Sequence, residues 1–169
     1  MTVANIPYEF IRQRVELNWH EVKFGLDHQL LKPEGAIDKA TESLCDTNAP
    51  PKELVELASK AKDESIADLI AYLARIEAPT SDKQVKAKWL YLVLAWLFEN
   101  RESLVDSLGI VESVYSDFDY PKEIAPFVCY MPMDEPNLGN SEQNEARMVD
   151  WWRAYLNEAA KQFARDSKK

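Results

Sequence analysis

Glycine is scarce in this sequence, with four in 169 residues. Architectures of short strands and tight turns draw on glycine for left-handed positions, so an all-β fold is disfavoured. Cysteine and histidine are also few: Cys45, Cys129, His20 and His28. No CxxC pair and no Cys/His cluster occurs, which excludes the usual structural zinc spacings, and both cysteines read as reduced thiols. The histidines are eight residues apart, on one helix face at about 12 Å, too far to share an ion. Neither follows a glutamate by three positions, as helical di-metal sites require. HExxH, GxSxG, P-loop and Rossmann patterns are all missing. No metal, no cofactor and no catalytic residue is therefore expected.

Long apolar runs are lacking as well. The longest, Trp89 to Phe98, spans ten residues, well below the roughly 18 that suggest a membrane span. Met1 to Pro7 shows no basic-then-apolar signal pattern. The expectation is a cytoplasmic chain with no membrane partner.

What is present is a globular composition, 46% hydrophobic and 29% charged, at a length that fits one domain covering residues 1–169. Helical periodicity dominates. Pro7 can open a helix that turns Phe10, Ile11 and Val15 inward. Asn18 followed by Glu21 forms a capping-box pattern for a helix with Trp19, Val22, Leu26 and Leu30 on one stripe. Gly25 lies inside it, at a cost of about 1 kcal/mol relative to alanine. Pro33 opens a helix through Ile37, Ala40 and Leu44. Asn48-Ala49-Pro50-Pro51 separates it from one carrying Leu54, Leu57, Ala58 and Ala61. Asp63 is placed to cap a helix with Ile66, Leu69, Ile70 and Leu73 inward.

Ser81 and Gln84 mark the next start, and this helix becomes apolar on every side from Trp89 to Phe98, the pattern of a buried central helix. Asp106 can cap a shorter helix with Leu108, Val111 and Tyr115. Pro121, Pro126, Pro132 and Pro136 then prevent any long helix near 117–140. A helical turn at Pro121 to Ala125 and an extended Phe127 to Met131 fit that stretch. A last helix from Asn140 or Ser141 carries Met148, Trp152, Tyr155, Leu156, Ala159 and Phe163 on one face; Trp151 sits about 100° from Trp152, so one of the two is expected to be partly exposed. The fold class that follows is all-α: a single-domain bundle of seven or eight helices around a central apolar helix, with an irregular proline-rich segment.

The net charge of −9 is unevenly placed. Between Glu99 and Asp150 stand twelve acids and three bases (Arg101, Lys122, Arg147), whereas the rest of the chain holds seventeen of each. Such a segment disfavours nucleic acid and suits a basic partner. Lys86 and Lys88 beside Trp89 and Tyr91 are too few to reverse this. A solvated surface serving solubility is the plainer alternative.

Within that segment runs Asp117-Phe118-Asp119-Tyr120-Pro121, then Glu123-Ile124, then Phe127-Val128-Cys129-Tyr130-Met131-Pro132. The run resembles the signature of a bacterial domain family of unknown function, whose members recur near polymorphic and contact-dependent toxin systems and have been proposed as immunity proteins. Lys88-Trp89-Leu90-Tyr91 and Trp19 with Gly25-Leu26 are similar to its pattern too, so the likeness spans about Ile6 to Leu156. Gly109 stands where a better helix former would be expected. The resemblance supplies no catalytic residue. It implies a small all-α protein that binds and neutralises a cognate toxin domain, one with a basic surface such as a nuclease. Asp117, Asp119, Tyr120 and Glu123 are then the candidate partner-binding residues. The competing role for them is packing, with Tyr120 and Pro121 pinning a loop and the acids capping it. A helical scaffold for another basic partner is the second functional reading. A carboxylate enzyme is the third, with Asp117 and Asp119, pointing the same way on an extended segment, and the histidines His20 and His28 as its only candidate groups.

Overall fold

The structure, a computed structural model, describes Val3 and residues 5–61, 64–128 and 141–167. Among these residues there are eight α-helices, two short 3-10 turns and no strand. The all-α expectation is met. Contacts group the chain into two compact units, Val3–Trp89 and Leu90–Lys169.

The first unit contains α1 (Tyr8–Arg12), α2 (Trp19–Asp27), α3 (Pro33–Asp46), α4 (Lys52–Ala58), α5 (Ala67–Ile76) and the opening turns of α6 (Asp82–Glu99). Pro7 is the N-cap of α1, with Phe10, Ile11 and Val15 buried behind it. Pro33 begins α3, where its missing N–H removes no helical hydrogen bond. α3 packs on α1 and α4, and α5 packs on α2 and α4. Val22, Ala36, Ala40, Leu54, Leu57, Ile70 and Leu73 fill the interior. Ile37, Leu44, Ala58 and Leu69 are half-buried at its margin.

Three expectations change here. α2 stops at Asp27, so the stripe drawn to Leu30 is cut short, and His28 caps the helix instead of sharing a face with His20. The stop is made by Gln29 in the left-handed region at φ 61. Its N–H bonds to Leu26 O at 3.2 Å, and that of Leu30 reaches back to Gly25 O at 2.8 Å, the paired hydrogen bonds of a Schellman motif. Leu30 is fully buried all the same, because this turn folds it under the helix. Ala61 falls beyond α4 and is exposed. Asp63 lies outside the described residues, and Ile66 is the N-cap of α5.

Gly25 owes its place to a close approach. A Cβ there would collide with the indole of Trp89 at Cζ2 and lie 2.8 Å from Cη2. Trp89 is fully buried and its Nε1 donates to Glu21 O at 2.8 Å, so the ring has no room to retreat. Gly25→Ala gains about 1 kcal/mol of helix propensity and loses about 1–3 kcal/mol to overpacking. The expected net result is a melting temperature lowered by a few degrees, read by calorimetry. An unchanged or raised value would mean that Trp89 is not fixed.

The second unit holds the rest of α6, a 3-10 turn at Arg101–Ser103, α7 (Ser107–Asp117), a second 3-10 turn at Ala125–Phe127 and α8 (Ser141–Ser167). Every side chain from Trp89 to Ala95 is buried, which agrees with an apolar helix lacking a polar face. Tyr91 stacks on Phe163 at 5.5 Å, and Phe98 meets Trp152 edge-on at 5.1 Å. Each such pair contributes about 0.5–1.5 kcal/mol beyond its burial. Met148, Trp152, Ala159 and Phe163 form the buried face of α8, with Tyr155, Leu156 and Trp151 half-buried. Asp106 caps α7 by accepting from Gly109 N–H at 3.0 Å. A Cβ on Gly109 would meet that same carboxylate, the far end of an exposed side chain that can shift aside. The expected turn at Pro121 is present: Ile124 and Ala125 donate to Pro121 O and Lys122 O, each at 3.3 Å, and lead into the second 3-10 turn. Residues 129–140, including Cys129, Pro132 and Pro136, lie outside the described residues, and so does most of the expected extended stretch.

Candidate functional site

The four residues singled out from sequence sit on the turn that ends α7. Asp117 is the last residue of the helix, and Phe118 follows as a buried anchor, 6% exposed. Asp119 and Tyr120 then both adopt left-handed backbone, at φ 63 and φ 58. Asp119 N–H bonds to Ser116 O at 3.3 Å and Tyr120 N–H to Tyr115 O at 2.8 Å. This is a second Schellman motif, with aspartate where glycine is usual. The motif's apolar contact is an aromatic one: the Tyr115 and Tyr120 rings meet edge-on at 5.2 Å. The expectation of an extended segment with two parallel aspartates is therefore corrected. Backbone hydrogen bonds close a tight corner here, and an extended chain could not make them.

The corner brings Asp117, Asp119, Tyr120 and Glu123 together within seven residues, all four of them exposed. Tyr120 keeps 59% of its surface open despite the ring contact. Glu123 lies near enough to α8 to act on Tyr155, whose phenol is pushed up first by burial and then by the Glu123 charge. A left-handed non-glycine residue costs roughly 1–2 kcal/mol. Two stand in succession here, the second directly before Pro121, a position that favours extended backbone. Strain retained at an exposed corner is a feature of binding sites.

Asp119→Gly separates the backbone role from any other. Glycine removes the left-handed cost while loosening the unfolded chain, for a net gain of about 0.5–1 kcal/mol. That corresponds to a melting temperature about 2–3 °C higher. A lower melting temperature would show that the aspartate side chain itself holds the turn.

Sequence reasoning missed a second arrangement, in the first unit. Glu21, 2% exposed, accepts from Asn18 N–H at 2.8 Å to complete the capping box, and pairs with Lys88 Nζ at 2.9 Å. Lys88 also donates to Glu16 O at 3.0 Å. Glu77 accepts from Trp19 N–H through both carboxylate oxygens, at 3.2 and 3.1 Å. Lys39, 7% exposed, lies over the Trp19 ring at 5.3 Å. Burial pushes its ammonium down, against the raising influence of Glu16, Glu77, Glu42 and Glu21. The capping box was legible from Asn18 and Glu21. The lysine partner, 67 residues away, left no local signal. With Trp89 at 0% and Tyr91 at 5% exposure, the stacking groove weighed beside Lys88 does not form.

His20 is half-buried, and its Nε2 has no hydrogen-bond partner. His28 is exposed and hydrogen bonded through Nδ1 to Phe24 O at 2.9 Å. Cys45 is an exposed free thiol. Among the described residues no three His, Cys, Asp or Glu side chains are grouped to hold a metal ion, and no helix is long and apolar enough to cross a membrane.

Helical units, without strands among the described residues and one of them carrying a strained acidic corner, define the class of protein: an all-α chain whose exposed chemistry suits contact with another molecule. The chain belongs to a bacterial family described as "Uncharacterized protein conserved in bacteria (DUF2247)", whose model matches residues 8–160. No curated protein and no solved structure is significantly similar to it.

Proposed function

We propose that this chain is an immunity protein: in the cytoplasm it binds a cognate toxin domain stoichiometrically and neutralises it without catalysis, through the corner formed by Asp117, Asp119, Tyr120 and Glu123. The observation that carries this reading is the pair of consecutive left-handed residues, Asp119 and Tyr120, at an exposed turn. Helix termination accounts for one left-handed residue. It does not call for a second one before a proline, nor for a tyrosine ring more than half open to solvent. An exposed aromatic flanked by three carboxylates is suited to a basic surface: the acids steer the encounter and the ring supplies contact area at low entropic cost. A nuclease toxin, whose substrate-binding cleft is positive, is the partner this chemistry fits best.

This reading predicts a secreted-toxin gene directly upstream in the native genome, and the test is binding of the full chain to the C-terminal domain of that toxin. Asp117→Lys/Asp119→Lys should slow association strongly at low salt and weakly at high salt. Unchanged association at low salt would remove the corner from the binding surface.

A further inference from the structure

In the second unit two arginines share one aromatic ring. The Arg101 guanidinium lies 4.1 Å from the Phe98 centroid and that of Arg153 lies 5.5 Å from the same point. The two cations are thus no more than about 10 Å apart. Phe98 is half-buried, and its ring meets the fully buried Trp152 at 82°, which makes it a fixed platform. Arg101 Nη1 donates to Phe98 O at 2.7 Å, and Arg153 Nη1 bonds to Asp150 Oδ1 at 2.9 Å. Much of the rotamer freedom that an arginine loses on binding is therefore already gone. Among the described residues Arg153 is ion-paired with Asp150 on its own helix, whereas Arg101 forms no ion pair with a carboxylate, although it belongs to a segment with twelve acids and three bases.

A terminal cap on α6 explains the hydrogen bond from Arg101 to Phe98 O. It does not explain why a second arginine, from α8, is directed to the same ring. A surface built only to attract cations is weakened by such a pair. A surface that must also fix the register of its partner gains from one point of opposite charge, because a wrongly seated partner then meets like charge. Planar guanidinium forks recognise carboxylates in a defined orientation.

We infer that Arg101 and Arg153, held on Phe98, form a second contact point for the same protein partner and receive one of its Asp or Glu carboxylates. The inference rests on the proposed function, since it concerns the partner of the acidic corner. A nucleic acid is the poorer occupant: the chain carries a net charge of −9, and a polyanion would be repelled before reaching the two arginines.

The experiment uses the full chain and the toxin domain that the proposed function predicts beside it, with association and dissociation rates measured separately. Arg101→Lys/Arg153→Lys keeps both positive charges and a donor for Phe98 O, and removes only the forks. Its dissociation rate should rise about tenfold, with association within about twofold of the original. A melting temperature within a few degrees of the original shows that the cap on α6 survives. The single variant Arg153→Lys, at a side chain half open to solvent, serves if the double variant does not fold, with a smaller rise expected. An unchanged dissociation rate in the folded variant overturns the inference. So does binding of a fluorescent single-stranded oligonucleotide by the original chain that the lysine variant loses. The corner is judged separately, by the association rate of its own charge-reversed variant.

Discussion

Lys88→Met should cost this protein about 3–5 kcal/mol, the largest loss expected of a single exchange among its polar contacts, because it leaves a buried carboxylate without its cation. Lys88 donates to both oxygens of Glu21, at 3.0 and 2.9 Å, and to the carbonyl of Glu16 at 3.0 Å. Methionine keeps most of the stem's volume, so little cavity forms and the loss reports the charge. Glu21 would retain only the Asn18 N–H in a site where 2% of its surface meets water. Against a total stability of about 5–15 kcal/mol the loss is large, and in a chain of this length it lowers the melting temperature by about 10 °C. The companion Glu21→Gln/Lys88→Met removes both charges and preserves an acceptor for the Asn18 N–H. Replacing both members of a buried pair is far cheaper than removing one, so the double variant should recover most of the stability. If its loss equals the two single losses added together, Glu21 and Lys88 do not act as a coupled pair.

That pair shows where sequence reading succeeds and where it stops. Each helix start at Asn18, Ser81 and Asp106 is encoded within four residues, because a cap is a contact between a side chain and backbone one turn away, and Pro33 marks its start by fixing φ and lacking an N–H. The buried run Trp89 to Ala95 is legible for the same reason: a helix with no polar face has nowhere to go but inward. Helix ends leave a weaker trace in the sequence. This chain terminates α2 and α7 with Gln29 and Asp119 in left-handed backbone, so the glycine that usually marks such a stop is missing. Hence the periodicity carries His28 into a helix that it only caps, and nothing local marks Asp119 as a turn residue. Gly25 shows a third limit. Its propensity cost is visible locally, but the reason for it is the Trp89 indole, 64 positions along the chain. The candidate corner is legible from its residue types, whereas its strain lies in backbone angles that no residue type there announces.

Reversing the charges at Asp117 and Asp119 is the exchange expected to alter binding kinetics most. Both carboxylates are exposed at the corner, so replacing them with lysine should leave the buried Phe118 anchor and the helix end largely intact. The net charge moves from −9 to −5, since each exchange adds two units. Electrostatic steering raises association from about 10⁵–10⁶ to as much as about 10⁸–10⁹ M⁻¹s⁻¹. Loss of two acids and gain of two bases at the point of encounter should therefore slow association about tenfold to a hundredfold in dilute buffer. At about 1 M salt, where the Debye length is about 3 Å, the two rates should converge to within a few-fold. Global charge must be separated from local charge. Glu34→Lys/Asp38→Lys makes the same net change on two exposed residues of α3 in the first unit, and serves as the control. A corner that steers its partner predicts a strong effect from the first pair and a weak one from the second. Equal slowing by both would mean that the partner responds to the charge of the whole molecule, and the corner would lose its claim to be the site.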